Sequence, residues 1–269
     1  MTTSEVEALL ARTLLGDYEA EDAWDAIAVL RSNGSREIFE CAAAWCASRD
    51  PLRRARAAAI LCQLRRALPD ELKTQHPWPE PEWMFRDESY SLIVKMLEIE
   101  QDPMVLHSAI HALGHLHNAA AIPSILSYQN YPDESVRFAV AVALGCFPDD
   151  SQSVRGLLKL TSDPDAEVRD WAVFGLGVQG DADSPEIRDS LLRCLDDASV
   201  DVREEAAIGL GKRQDQRLVP RLRVMLDEPA FKVRVAEAAA ALLGMDTDPP
   251  EWTAADYRAA LKDRFQIPQ

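Results

Sequence analysis

The chain has 269 residues with 29 Lys and Arg against 45 Asp and Glu, a formal charge of −16, and 47% hydrophobic but only 7% aromatic positions. That apolar fraction suffices for a packed core, no apolar run approaches the roughly 20 residues of a membrane span, and the start Met-Thr-Thr-Ser-Glu lacks the basic and apolar segments of a secretion signal. A cytoplasmic protein without membrane contact is expected, and its charge repels phosphate backbones and so excludes nucleic acid as a partner while favouring basic proteins.

Helix is the first expectation along the chain, because Ala-rich runs such as Ala55–Cys62 dominate over β-branched alternation. Ser4–Leu15 and Glu19–Arg31 are predicted as a helical hairpin burying Trp24, Ile27 and Leu30. Ser35–Ser48 pairs with the helix that opens at Asp50 (DPLRRARAAAILC). Around it Arg53, Arg54, Arg56, Arg65 and Arg66 form a local basic surplus, read as a solvated face. Leu68–Asp87 then departs from the pattern, with Pro77, Pro79 and Pro81 stiffening a segment that carries Trp78, Trp83 and Phe85. It either folds back to seal the stack or reaches a partner, and Trp83 and Phe85 lead directly into the next helix.

From Asp102 onward a repeat is explicit. DPMVLHSAIHALG, DESVRFAVAVALG, DAEVRDWAVFGLG, SVDVREEAAIGLG and KVRVAEAAAALLG align without gaps at spacings of 31, 32, 34 and 33 residues. Each sets a Val eight residues before a Leu and nine before a Gly, with a small or apolar residue midway, which is one apolar stripe of a helix. The Asp or Ser three residues ahead of the Val is a helix cap, broken at Lys232. The Gly suits a helix end or the close approach of a neighbouring backbone. Shorter amphipathic helices lie between, with Pro123, Pro185 and Pro220 near their starts. A lone hairpin cannot bury its stripe, so the hairpins must stack. The predicted fold is all-α, an α-solenoid of about seven hairpins in a single body over residues 1–269. Weak repeats fill 1–67, the insertion 68–87, clear repeats 88–246, and a capping helix at Thr253–Phe265 belongs to 247–269.

These residues, Asp-x-x-Val-Arg followed by Ala and Leu-Gly at a period of 31 to 34, resemble the HEAT repeat in the short form of phycobilisome lyase-type proteins, and residues 163–245 resemble bacterial HEAT-repeat proteins without a settled activity. The resemblance implies the fold and not a function. Its enzymatic relatives leave no mark. Deoxyhypusine hydroxylase-like iron sites imply paired His-Glu dipeptides, whereas the histidines here are followed by Pro77, Ser108, Ala112, Leu116 and Asn118. HEAT-like DNA glycosylases imply a basic groove, whereas residues 74–269 carry a net −14. No residue matches a bilin-handling role.

His107, His111, His115 and His117 fall on one predicted helix, His107 and His111 sharing a face. Such a pair can chelate a metal, but no third ligand is evident, so no metal and no cofactor are assigned and the imidazoles are read as lining a groove. Projected on the repeat, the positions two and six residues after each Val turn toward the inner surface. They are His107 and His111, Phe138 and Val142, Asp170 and Phe174, Glu204 and Ile208, Glu237 and Ala241, with Trp171 alongside. The partner-binding residues are accordingly His107, His111, Phe138, Asp170, Trp171, Phe174, Glu204 and Ile208, unless these side chains fill the space between repeats. Arg137, Arg169 and Arg203 recur after the Val and are expected to form an Arg–Asp ladder between repeats. The five cysteines, odd in number and without a Cys-x-x-Cys pair, read as small buried hydrophobes. No catalytic residue emerges, so the expected function is a non-enzymatic, monomeric scaffold or adaptor for a basic protein. An inhibitor of a basic toxin or nuclease, and a lyase or metal-dependent enzyme of the HEAT-like type, are the alternatives.

Overall fold

A computed structural model of the protein describes residues 1–69, 82–227, 233–245 and 252–266. Among these, fifteen α-helices and no strand are found, and no helix is long and apolar enough to cross a membrane. The fold is an all-α solenoid of helical hairpins, and the chain divides into two compact units, Met1–Ala143 and Leu144–Gln269.

Unit 1 contains α1 (Thr3–Arg12), α2 (Glu21–Ser32), α3 (Arg36–Trp45), α4 (Pro51–Leu61), α5 (Arg86–Leu97), α6 (Pro103–His115), α7 (Ile122–Leu126) and most of α8 (Glu134–Gly145). The caps act as the spacing demands. Asp50 accepts from the amide of Leu52, and Asp102 from those of Met104 and Val105, while Pro51 and Pro103 occupy the first helical position, where no N–H is needed. The stripe Val105, Ala109 and Leu113 is fully buried. Pro123 sits at the second residue of α7, in the first turn where no intrahelical N–H is needed, and a 3-10 turn at Ala119–Ala121 precedes it. Second helices pack side by side, α4 against both α2 and α6.

The insertion is closed at its stem. Leu64 and Arg66 exchange backbone hydrogen bonds with Met84 and Glu82 around an antiparallel bridge between Arg65 and Trp83, and Arg65 also pairs with Arg31 and Gly34. Phe85 precedes α5 in a left-handed conformation (φ 57°), its ring 4.7 Å from that of Phe39. Residues 70–81, with Trp78 and the three prolines, lie outside the described residues. One arginine departs from the solvated face expected of the cluster. Arg56 is fully buried, donating to the carbonyls of Thr13, Asp17 and Tyr18 beneath the rings of Tyr18 and Trp24. It lies three residues along from the Val position, on the flank that the α1–α2 connection covers.

Unit 2 contains α9 (Ser151–Leu160), α10 (Ala166–Phe174), α11 (Pro185–Cys194), α12 (Val200–Lys212), α13 (Val219–Asp227), α14 (Val233–Leu242) and α15 (Ala254–Phe265). Here α12 is bracketed by α10 and α14. The repeat predicts a helix running to Gly177, whereas α10 ends at Phe174 and widens into a π-helical stretch, Gly175–Gln179. Arg213 holds that stretch, its guanidinium donating to the carbonyls of Leu176, Gly177, Gly180, Ala182 and Gly209. Gly244 alone of the register glycines has a left-handed φ, 72°, and ends the α14 hairpin. Lys232, the broken cap, lies outside the described residues. At the C-terminal end, α15 starts from a Thr253–Asp256 capping box and buries Tyr257 and Leu261 against α13 and α14. All five cysteines are free, Cys62 and Cys194 buried and the other three half-buried.

Candidate functional site

In unit 2 the predicted positions separate into interior and surface. Ile208 is 1% exposed and Glu204 4%, so both belong to the packed interior rather than to an open face, contrary to the helical projection. The reason is lateral packing. A Cβ on Gly209 would stand 2.6 Å from the Cα of Gly177, and one on Gly211 2.5 Å from the carbonyl oxygen of Ala238, so α12 lies so close to its neighbours that both flanks are covered. The accessible strip is displaced by about one residue. Trp171 is 36% exposed and its ring meets that of half-buried Phe174 edge to face at 5.6 Å.

Asp170, next to Trp171, is half-buried and its Oδ1 is buried without a hydrogen-bond partner. From α12, Glu205 forms an ion pair with Arg234 of α14 through Oε1, leaving its Oε2 and the Nε of Arg234 buried and unsatisfied. Burial pushes the Asp170 carboxyl up to about 6, with Asp201 adding to the effect and Arg234 opposing it. Burial likewise pushes Glu205 up to about 7, against the pull of Arg234 and with the repulsion of Asp170. Two carboxylates thus share one guanidinium, and the cluster is short of positive charge. Glu205 and Arg234 were not singled out in the sequence, where Glu205 stands one residue beyond the projected position of Glu204.

In unit 1, His107 and Phe138 are half-buried and stacked nearly parallel with centroids 5.9 Å apart, and His107 also stacks on His111 at 6.1 Å. Nδ1 of His107 donates to the carbonyl of Ser135. These imidazoles line a cavity of about 200 Å³ with Tyr18, Glu19, Trp24 and Arg31. Tyr18 reaches over α4 to share a 2.6 Å hydrogen bond with Ser108 of α6, ninety residues on. Burial first, then His115, His107 and Arg31, holds His111 down at about 3, so it is neutral at physiological pH. Among the described residues no three His, Cys, Asp or Glu side chains converge as a metal site would require.

A rung of the expected Arg–Asp ladder is present in unit 2, from Arg169 to Asp197, and Arg54 makes a like contact with Glu100 in unit 1. Arg54 grips Glu100 in a two-bond fork, 2.6 and 3.0 Å, and Arg169 grips Asp197 likewise, 2.7 and 2.8 Å. The same guanidinium also donates back to carbonyls five and six residues earlier, Pro164 and Asp163 for Arg169. Arg137 and Arg203 repeat that backward contact.

Comparison with known families meets this geometry at the repeat. The family described as HEAT repeats matches residues 91–177 and 154–243, together more than half of the chain. The chain belongs to the HEAT-repeat family. Among solved structures, this HEAT-repeat protein is similar to YibA of E. coli, with TM-score 0.69 and 22% identity over 97% of this chain and 93% of that one. A HEAT-like repeats protein from the archaeon Thermococcus onnurineus gives TM-score 0.52 and 17% identity, covering 96% and 97%. The CpcE–CpcF complex of phycocyanin lyase from Nostoc sp. gives TM-score 0.48 and 16% identity, covering 96% and 94%. No curated protein sequence matches the chain. At these identities the likeness concerns the fold alone.

Proposed function

We propose that this HEAT-repeat protein is a non-enzymatic scaffold or adaptor that binds a basic protein partner through unit 2. Trp171 and Phe174 anchor the partner, and Asp170, half-buried beside them, receives one of its Lys or Arg side chains. One observation carries this reading: the exposed indole of Trp171 adjoins Asp170, half-buried and with one carboxylate oxygen that lacks a donor. An unsatisfied buried acceptor costs about 1–3 kcal/mol, which an incoming guanidinium or ammonium offsets. The charge of −16 steers such a partner toward the surface. The same reading takes the protein as a cytoplasmic monomer without a cofactor.

Affinity capture from lysate at low and high salt, with wild type beside Trp171→Ala and Asp170→Asn, tests it. A basic protein retained by the wild type at low salt, released at high salt and lost from both variants supports the reading, provided the variants keep their thermal midpoints. Equal capture by the variants, or a partner insensitive to salt, refutes it.

A further inference from the structure

The cavity in unit 1 has no part in that reading. Its floor is made of small residues of α4 and α6, Ala59, Cys62 and Ala112, and its walls of Trp24 and Arg31 on one side and His107, His111 and His115 on the other. Tyr18, fixed to Ser108, closes part of the opening. Glu19, also in the lining, is exposed. A void of about 200 Å³ corresponds to roughly six or seven waters' share of liquid volume, enough for a compact organic molecule.

The polar atoms that face this space have definite characters. Arg31 donates from Nε to the carbonyl of Ala59 at 2.7 Å and from Nη2 to Sγ of Cys62 at 3.5 Å. These two bonds fix the guanidinium plane, and they leave Nη1 and the second Nη2 proton as an open fork, the geometry that matches a carboxylate. Nδ1 of His115 accepts from the amide of Gln63 at 3.2 Å, so its ring proton resides on Nε2 as a further donor. His115 is held below the ordinary imidazole range by burial and by Arg31, and His111 is neutral as well. Arg31 is the guanidinium of the lining, held in place by its bonds to Ala59 and Cys62. The rings of Trp24 and His111 also line the cavity and give it aromatic surface beside the guanidinium.

We infer that this cavity is a binding site for a small planar monocarboxylate, its carboxylate on the open fork of Arg31 and its body against the imidazole of His111. A phosphate suits the site less well, because a single arginine fork satisfies two oxygens and leaves the others without cationic partners.

Benzoate tests the assignment, with benzamide as its uncharged isostere and inorganic phosphate as the competing anion, followed by calorimetry and by the histidine ring resonances in proton NMR. The expected result is saturable benzoate binding that shifts the resonance of His111, about tenfold or greater weakening in Arg31→Gln, and no comparable binding of benzamide or phosphate. Ala112→Leu, which fills the floor while leaving in place the Ala59 carbonyl that anchors Arg31, is expected to abolish binding with helical content unchanged; it decides the matter should Arg31→Gln not fold. Absence of benzoate binding to the wild type, benzamide or phosphate binding equally well, or full binding by the folded variants overturns the inference. None of these outcomes bears on the partner surface of unit 2, which Trp171→Ala tests separately.

Discussion

Arg169 performs two tasks with one guanidinium: its backward bonds satisfy the carbonyls of Asp163 and Pro164, and its forward fork takes Asp197 of the next hairpin. Both partners of the fork are largely buried, so the pair is screened less than a surface ion pair. A double-mutant cycle of Arg169→Ala and Asp197→Ala in urea is expected to return a coupling of about 1–2 kcal/mol. The hydrogen bonds from Arg169 hold the Asp197 carboxyl below its ordinary value. Its contribution is present above the unfolded carboxylate range and is lost as pH falls through the lowered value. Asp170 and Glu205 have the opposite sign. Their folded values, about 6 and about 7, lie above the unfolded 3.8 and 4.5. The folded state therefore binds more protons than the unfolded one between these limits, and stability falls as pH rises from about 4 to 7. Glu205→Gln is expected to flatten that decline, and thermal midpoints measured from pH 4.5 to 8 in wild type and variant check it.

At the scale of the helix, α12 is set by glycines that propensity alone disfavours. Ala in place of a helical Gly ordinarily gains about 0.5–1 kcal/mol. At Gly209, however, the new Cβ would press to 2.6 Å on the backbone of Gly177, and overpacking of that kind costs about 1–3 kcal/mol. The clash outweighs the gain, so Gly209→Ala is expected to destabilise by about 1–2 kcal/mol in urea unfolding. The π-helical stretch beside it has its own requirement. Its carbonyls depend on Arg213, which is charged and nearly buried, and Asp183 lies at 3.9 Å as a partial counter-charge. Removing the guanidinium leaves several buried acceptors unmet at once, so Arg213→Ala is expected to cost about 3 kcal/mol or more and to lower the thermal midpoint steeply.

Over the whole molecule the charge of −16 acts on folding and on binding in opposite directions. Self-repulsion of the acidic surface opposes compaction, and salt relieves it within a Debye length of about 8–10 Å. Thermal midpoints are therefore expected to rise modestly between 50 and 500 mM salt, a range chosen to span strong and weak screening, while association with a basic partner weakens over the same range. Scanning calorimetry and partner titration on one protein preparation measure the two trends together. A fall of both with salt would mean that the ladder pairs outweigh the self-repulsion.

The repeated Val, Leu and Gly positions, with Asp at the helix starts, determined the hairpins and their buried stripes, because helix caps and the 3.6-residue period are local properties that neighbouring residues settle among themselves. The rung from Arg169 to Asp197 and the backward contacts shared by Arg137, Arg169 and Arg203 were legible for the same reason: like residues at like places in successive repeats face like surroundings. What sideways packing decided was not legible. Glu204 and Ile208 lie inside because Gly177, Gly209 and Gly211 draw α12 close to its neighbours. Arg56 is buried because a connection thirty-eight residues away in the chain arches over it. The cavity draws its lining from Tyr18 and Ser108, bonded to each other across ninety residues. Contacts of that kind depend on how far apart two helices settle and which loop crosses between them, and no spacing within one repeat encodes either quantity.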